Sequence, residues 1–373
     1  MKILFSTRNW NRVFLYLLFI CSTFSIAGTE ASIAMLYLIT LIRWIWNRPL
    51  TQLENPFLWV TLFFIATTVL SGLFNAYETD HLMALRNNWR LLLPLLLAGI
   101  LTEVNSEQLL WTFFGFVFLI SVYGIIQYFT GADWLRPEGE QLTTPYLFGS
   151  SEGNNVYHAK GNFSHHLTYG GFLLLSFPLL VSLTFCKDWY PFTRILTALI
   201  AIFVLLGIGA SLGRSIWLGT AAAVTILMYR ISPKLILAIS IAIIAAVTYF
   251  FTQLGDAPIQ NRVPTNRLEA LQQRFISGFM LKSNQDRILM WETGISAIKD
   301  HFWLGIGYNN DAVVMPEYRK RISENTGHRF QNKAGTGVHN IYLQTWINYG
   351  FFGMLGYLVV SYTHLTLPTI LLV

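Results

Sequence analysis

A chain of 373 residues with 54% hydrophobic and only 12% charged side chains does not read as a soluble domain, where about a quarter of residues carry charge. Aromatic residues reach 15%, twelve of them Trp, as expected where many helix ends sit in a membrane interface. The formal charge of +6 would point to nucleic acid in a soluble protein, but here it lies between apolar runs, and no nucleic-acid partner is expected. Cys21 and Cys186 lie in separate apolar runs and fit neither a disulfide framework nor a metal spacing.

Lys2, Arg8 and Arg12 precede an apolar run, and Ser25-Ile26-Ala27 is similar to the small-residue pattern before a signal cleavage site. A second apolar segment follows at once and no soluble domain comes after it, so the run is expected to stay as a first membrane helix. Further along, apolar runs cover about 13–28, 31–46, 56–74, 90–102, 108–129, 167–186, 195–210, 215–230, 234–252 and 339–360. Most approach the ~20 residues that a spanning helix needs, and backbone in lipid must bond within its own segment. The fourth run is short and holds Pro94.

Ten crossings put both chain ends on one side, and the basic residues test that count. With the N-terminus inside, the inner segments hold Lys2, Arg8, Arg12, Arg43, Arg48, Lys187, Arg194, Arg230 and Lys234. The short outer loops hold Arg86, Arg90, Arg136, Lys160 and Arg214, and nine against five favours this orientation. The fold class is therefore an all-α polytopic membrane protein of about ten transmembrane helices with a small helical outer loop domain. Its expected divisions are a bundle of about nine helices over 1–252, a loop domain over 253–338 and a last membrane helix over 339–360. Residues 361–373 break that helix in sequence, resemble a translated adaptor, and read as a non-native tail.

Two hydrophilic stretches fall outside. The smaller, 130–166, is rich in Gly, Asn and Pro and reads as an ordered loop. The larger, 253–338, carries eleven Lys or Arg and eight Asp or Glu and is too long for a plain connection. Within it the spacing predicts a helix over Arg287 to Lys299, with Ile288, Trp291, Ile295 and Ile298 on one stripe and Asp286 as its N-cap.

The first cluster that could carry chemistry is Gly209-Ala210-Ser211-Leu212-Gly213-Arg214-Ser215, joining two apolar helices. Its glycines allow close backbone approach and Arg214 offers a planar, bidentate donor to phosphate. An arginine snorkelling to headgroups is the ordinary alternative. Next comes Arg287, at the first turn of the expected loop helix with Trp291 one turn on, a place that suits an anion; a solvated surface charge is its alternative. The run Arg319-Lys320-Arg321 reads as a solvated or headgroup-binding face. Last is His339-Asn340-Ile341-Tyr342-Leu343-Gln344, where the loop meets the last membrane helix. Histidine suits proton transfer near neutral pH, while Asn340, Tyr342 and Gln344 add groups that bond sugars; an interfacial His–Tyr pair is the alternative. His165-His166 opens another helix, but adjacent residues cannot share a helix face as i,i+4 ligands do, so a metal site is not expected. Arg86 and Arg90, one turn apart, are candidates for a second phosphate or for lipid headgroups.

As a set these residues resemble the superfamily of O-antigen ligases and O-antigen polymerases. Ser211-Leu212-Gly213-Arg214-Ser215-Ile216-Trp217-Leu218-Gly219 is similar to its S-x-G-R-x-x-W-L-G motif. Asp286-Arg287 with Trp291, then Leu304-Gly305-Ile306-Gly307, resembles its R-x-x-x-W helix and following glycine turn. His339-Asn340-Ile341-Tyr342-Leu343-Gln344 with Gly350 and Gly353 resembles its H-N-x-Y-L-Q closure, and Gly161-Asn162-Phe163-Ser164-His165-His166 a looser motif. Phe302 departs from the family's usual proline. The resemblance covers most of residues 1–360, and the family usually has about two more helices.

The resemblance implies transfer of a finished glycan from an undecaprenyl-diphosphate donor to lipid A–core, at the periplasmic face of the bacterial inner membrane. On that basis Arg214 and Arg287 would stabilise the departing diphosphate and His339 would take the acceptor proton. Arg86, Arg90, His165, Trp291, Asn340, Tyr342 and Gln344 would hold donor or acceptor. No metal or other cofactor is implied, since the lipid-diphosphate linkage supplies the driving force. Charged groups at membrane depth are functional by default, which reverses the weight of the ordinary alternatives. A polymerase would use the same donor, and a protein O-oligosaccharyltransferase a Ser or Thr acceptor. A non-catalytic lipid-linked glycan transporter would place its polar residues near the midplane, whereas these cluster at one face.

Overall fold

The computed structural model describes residues 7–47, 56–74, 88–93, 100, 104–135, 145–147, 156–186, 188–231, 281–327, 330 and 337–370. Among them are ten α-helices: α1 (Thr7–Phe24), α2 (Ile26–Asn47), α3 (Pro56–Phe74), α4 (Ser106–Thr130), α5 (His166–Phe185), α6 (Pro191–Ala210), α7 (Arg214–Ile231), α8 (Leu281–Asp300), α9 (Asp311–Thr326) and α10 (Ile341–Ile370). A 3-10 turn covers Trp89–Leu92, and two short strands, β1 (Pro145–Leu147) and β2 (Val156–Tyr157), pair antiparallel within the smaller hydrophilic stretch. By length and composition α4, α5 and α6 can each cross a membrane, and α2 and α3 contain the shorter apolar stretches Ile26–Ile42 and Leu58–Phe74. The expected run over 234–252, most of that over 90–102, and residues 253–280 of the large loop lie outside the described residues.

The chain divides into two compact units, one of Met1–Leu15, Glu30–Asn105 and Met280–Val373, the other of Tyr16–Thr29 and Ser106–Phe279. In the second unit α5 and α4 both pack on α6. The α6 sequence is apolar on every side, as expected of a helix with protein on one face and lipid on the other. Ile200, Val204 and Ile208 are buried, while Ile195, Leu199, Ile202 and Leu206 are exposed. Small residues set how closely these helices approach. A Cβ on Gly124 or Gly207 would collide with the hydroxyl of fully buried Tyr169, at 2.1 and 2.7 Å.

In the first unit α10 packs on α3 and on α8, and α8 on α9. The α10 helix is broken at Gly350 (φ 69°, ψ −169°), a conformation that only glycine adopts without strain. The break releases two carbonyls from the helical ladder, and both are taken up: Ile306 N–H donates to Ile347 O at 2.7 Å and Gly307 N–H to Asn348 O at 3.0 Å. In return Phe351 N–H donates to Phe302 O at 2.8 Å, and the Ser71 hydroxyl of α3 reaches Leu304 O and Asn348 O. A Cβ on Gly305 would lie 2.5 Å from Ile347 O, and one on Gly350 2.1 Å from Trp303 O. The two glycine motifs, some forty residues apart in sequence, are the two halves of one backbone-to-backbone joint. Phe302 stacks on Phe351 (5.5 Å, 12°) and meets Trp346 edge-on.

Several local expectations are corrected. The loop helix begins at Leu281, so Asp286 is a helical residue instead of an N-cap and Arg287 lies in the second turn. Its buried face is Leu289, Met290, Thr293, Ala297 and Ile298, whereas Ile288, Trp291 and Ile295 point outward. The periodicity found a stripe, but the neighbouring helices cover the adjacent one. Arg319, expected on a solvated face, is only 5% exposed, while Lys320 and Arg321 beside it pair with Glu324 and Glu317. The backbone of α10 continues helical to Ile370, past the break expected at Ser361.

Candidate functional site

In the second unit, the Arg214 motif forms the tight turn between α6 and α7. Ser211 closes α6: its hydroxyl donates to Ile208 O at 2.7 Å and accepts from Gly213 N–H at 3.3 Å. Leu212 then takes φ 54°, a left-handed conformation that costs a non-glycine residue about 1–2 kcal/mol. The Trp217 indole ties back to Ile208 O at 3.2 Å. Ser211, Leu212 and Gly213 are buried, and Arg214 emerges half-buried as the first residue of α7. Arg214, and not Arg287, therefore stands at a helix N-terminus, where free N–H groups and the helix dipole favour an anion.

The segment before α5 lies along this turn. Ala159 N–H donates to Ala210 O at 3.0 Å, and His158 Nδ1 is 3.4 Å from Ser211 O. His165 is the N-cap of α5, its Nδ1 accepting from Leu167 N–H at 3.2 Å. His166 sits between His158 and His165 with ring centroids 4.2 Å away on each side. The sequence singled out the adjacent pair; the third ring, His158, arrives from the other side of a turn. The segment is anchored by half-buried Lys160, its Nζ 3.1 Å from Oδ2 of buried Asp133, whose carboxylate also accepts from Tyr123 at 2.8 Å. Gln127 of α4 clamps it further, accepting the N–H groups of Lys160 and Gly161 and donating to Gly161 O.

In the first unit, His339 precedes α10 with φ 53° and its side chain is exposed. Asn340 caps the helix, Oδ1 accepting from Tyr342 N–H at 3.0 Å and Leu343 N–H at 3.2 Å. Gln344 turns its amide inward, accepting from Val338 N–H at 3.0 Å and donating to Asp311 Oδ1 at 2.7 Å and Asn348 Oδ1 at 2.9 Å. Burial pushes the Asp311 carboxyl above the usual carboxylate range, with the Gln344 hydrogen bond and the charge of Arg319 pulling the other way. Tyr342 and Trp291 are both exposed, at 53% and 38%. Arg287 is also exposed. Arg90 pairs with Glu30 at 2.6 Å, and Arg86 lies outside the described residues.

Among the described residues the non-glycine residues with positive φ are Leu212 and His339, within these motifs, and Asn309, two residues before Asp311. Strained backbone of this kind persists only where the surroundings enforce it, and it clusters at functional sites. Sequence reasoning missed Asp311 and Asp133, whose types are ordinary for charged loops; the hydrogen bond of half-buried Asp311 to Gln344 and the burial of Asp133 distinguish them.

No curated protein matches the chain. Residues 197–358 match the family model described as O-antigen ligase, a stretch that holds Arg214, Arg287, Trp291 and the whole His339–Gln344 motif. Over these residues, fewer than half of the chain, the protein is similar to the O-antigen ligase family, a match consistent with an O-antigen ligase superfamily member.

Proposed function

We propose that this membrane protein is a glycan ligase that moves an O-antigen or similar oligosaccharide from undecaprenyl diphosphate to lipid A–core, at the periplasmic face of the inner membrane. The observation that carries this reading is the enforced left-handed backbone of His339, exposed at the start of α10 inside the matched stretch. The acceptor hydroxyl oxygen bonds to the anomeric carbon of the donor as the bond from that carbon to the diphosphate oxygen breaks. His339 takes the hydroxyl proton. Negative charge develops on the leaving diphosphate, and the Arg214 guanidinium, with the first N–H groups of α7 behind it, meets that charge. Arg287 is assigned the same role from α8. Exposed Trp291 and Tyr342 offer aromatic faces to sugar rings, and His165 and Arg90 are assigned to the donor side, as is Arg86 from the sequence. Asn340 and Gln344 contribute by holding the start of α10.

The charge of the 253–338 region, eleven basic against eight acidic residues, supports a phosphate-bearing acceptor such as lipid A–core. The test uses a bacterium deleted for its own ligase but retaining its polymerase, expressing the full-length protein. Lipid A–core capped with O-antigen, seen on gels and by mass spectrometry, is the expected product. Longer lipid-linked polymer without capping would make the protein a polymerase, and a glycosylated Ser or Thr peptide would make it a protein oligosaccharyltransferase.

A further inference from the structure

Gln344 grips the chain on both sides of His339. Its side-chain oxygen accepts the N–H of Val338, the residue before, and its own N–H donates to the carbonyl of Asn340, the residue after, at 2.8 Å. A left-handed histidine between two such fixed points cannot relax without breaking one of them. The grip works only if the Gln344 amide faces the right way. Reversed, its NH2 would meet the Val338 N–H, donor against donor, and the bracket would open.

What sets that orientation is Asp311. An ionised carboxylate only accepts hydrogen bonds, so Asp311 Oδ1, 2.7 Å from Nε2, obliges Gln344 to present its NH2 group. Asn348 Oδ1 takes the other hydrogen at 2.9 Å, and the oxygen is left for Val338. The space is made to measure, since a Cβ on Gly337 would lie 2.4 Å from Gln344 Oε1. Asp311 itself is fixed as the first residue of α9. Behind it Asn310 is buried and donates to Ile306 O at 2.6 Å, in the loop that joins α10 at its break.

We infer that Asp311 is a positioning residue: acting through Gln344 it holds His339 in its left-handed backbone and so aims the imidazole. This rests on the assignment of His339 as the proton acceptor, but the aiming itself can be measured apart from transfer. Neither Asp311 nor Gln344 needs to touch substrate for this role. The same reasoning makes hydrogen-bond acceptance, and not negative charge as such, the property that Asp311 contributes. An asparagine there keeps an acceptor oxygen.

The experiment takes the purified full-length protein in nanodiscs with a lipid-diphosphate-linked glycan and lipid A–core. Asp311→Ala is expected to lower kcat about tenfold with the donor KM unchanged, and Asp311→Asn to stay within about threefold of the parent. Gln344→Leu should match Asp311→Ala, and the double variant should be no worse than either, because coupled residues are not additive. A hundredfold loss in the double variant, a raised KM with kcat intact, or parent-like kcat in Asp311→Ala would overturn the inference. If neither Asp311→Ala nor Gln344→Leu yields folded protein, the network serves folding and the inference also fails. The second readout is the rate at which diethylpyrocarbonate modifies His339, followed by mass spectrometry without any substrate. Asp311→Ala should change that rate at least threefold, and an unchanged rate overturns the positioning role whatever the activity. A changed rate in a protein whose parent transfers no glycan would sink the transferase reading and leave the positioning role standing.

Discussion

Arg214 differs from the other basic side chains in that the backbone beneath it is committed. Ser211 ends one helix, Leu212 takes the strained conformation, and Arg214 begins the next helix within four residues. The root of the Arg214 side chain is therefore fixed by the turn, at the start of a helix whose first N–H groups have no partner within it. A lysine at this point keeps the charge but loses the planar fork. Arg214→Lys is expected to reduce kcat for glycan transfer about a hundredfold, the loss typical of one removed transition-state donor, as is Arg214→Ala. Activity in Arg214→Lys equal to the parent would reduce the role of Arg214 to a bulk positive charge. Residue type and spacing made Arg214 and His339 candidates beside ordinary interfacial alternatives, and the family resemblance is what gave them weight. Asp311, Asp133 and Arg319 were illegible. Each is a common charged residue in a hydrophilic stretch, and what sets it apart, the burial of Asp133 and Arg319 and the Gln344 contact of half-buried Asp311, depends on tertiary neighbours that periodicity does not reveal.

At the scale of elements, the glycines of the last motif hold a joint together. Gly350 has φ 69° and would place a Cβ 2.1 Å from Trp303 O. Gly350→Ala adds left-handed strain and a clash with backbone that cannot step aside, so a loss of about 3 kcal/mol is expected. Detergent-solubilised protein should show it as a drop in unfolding temperature of several degrees, whereas Gly115→Ala, with open space around it, should show none. The second anchor is the Asp133–Lys160 pair. Removing one partner leaves the other charge buried, so Lys160→Ala should cost about 3 kcal/mol. Limited proteolysis would report this as faster cleavage in the 156–165 segment; unchanged cleavage and melting would show that Asp133 is held well enough by Tyr123 and Gln127. The helices α4, α5 and α6 were legible from composition because lipid-facing and protein-facing sides are both apolar. The α8 stripe was misjudged because periodicity gives the angle between residues and not the neighbour that covers them. The early start of α8 was hidden as well, since Leu281 to Gln285 carries no break in helix-compatible residues.

At the scale of the whole molecule, the assignment of sides rests on nine basic residues in the inner segments against five in the short outer loops. Single cysteines introduced at Glu317 and at Tyr190, in a chain whose Cys21 and Cys186 are replaced by serine, test it directly. A membrane-impermeant maleimide added to spheroplasts should label the Glu317 position only, and both positions after lysis. Labelling of the Tyr190 position in intact spheroplasts would invert the topology. The central claim is that the protein moves a glycan from a lipid diphosphate to a separate lipid acceptor, with His339 taking the proton. It is tested most directly in proteoliposomes holding purified full-length protein, undecaprenyl-diphosphate glycan and lipid A–core, with both products weighed by mass spectrometry. The account predicts capped lipid A–core and free undecaprenyl diphosphate in equal amounts, only when acceptor is present, and neither from His339→Ala. Parent-level capping by His339→Ala, or no capping by the parent protein, would contradict it.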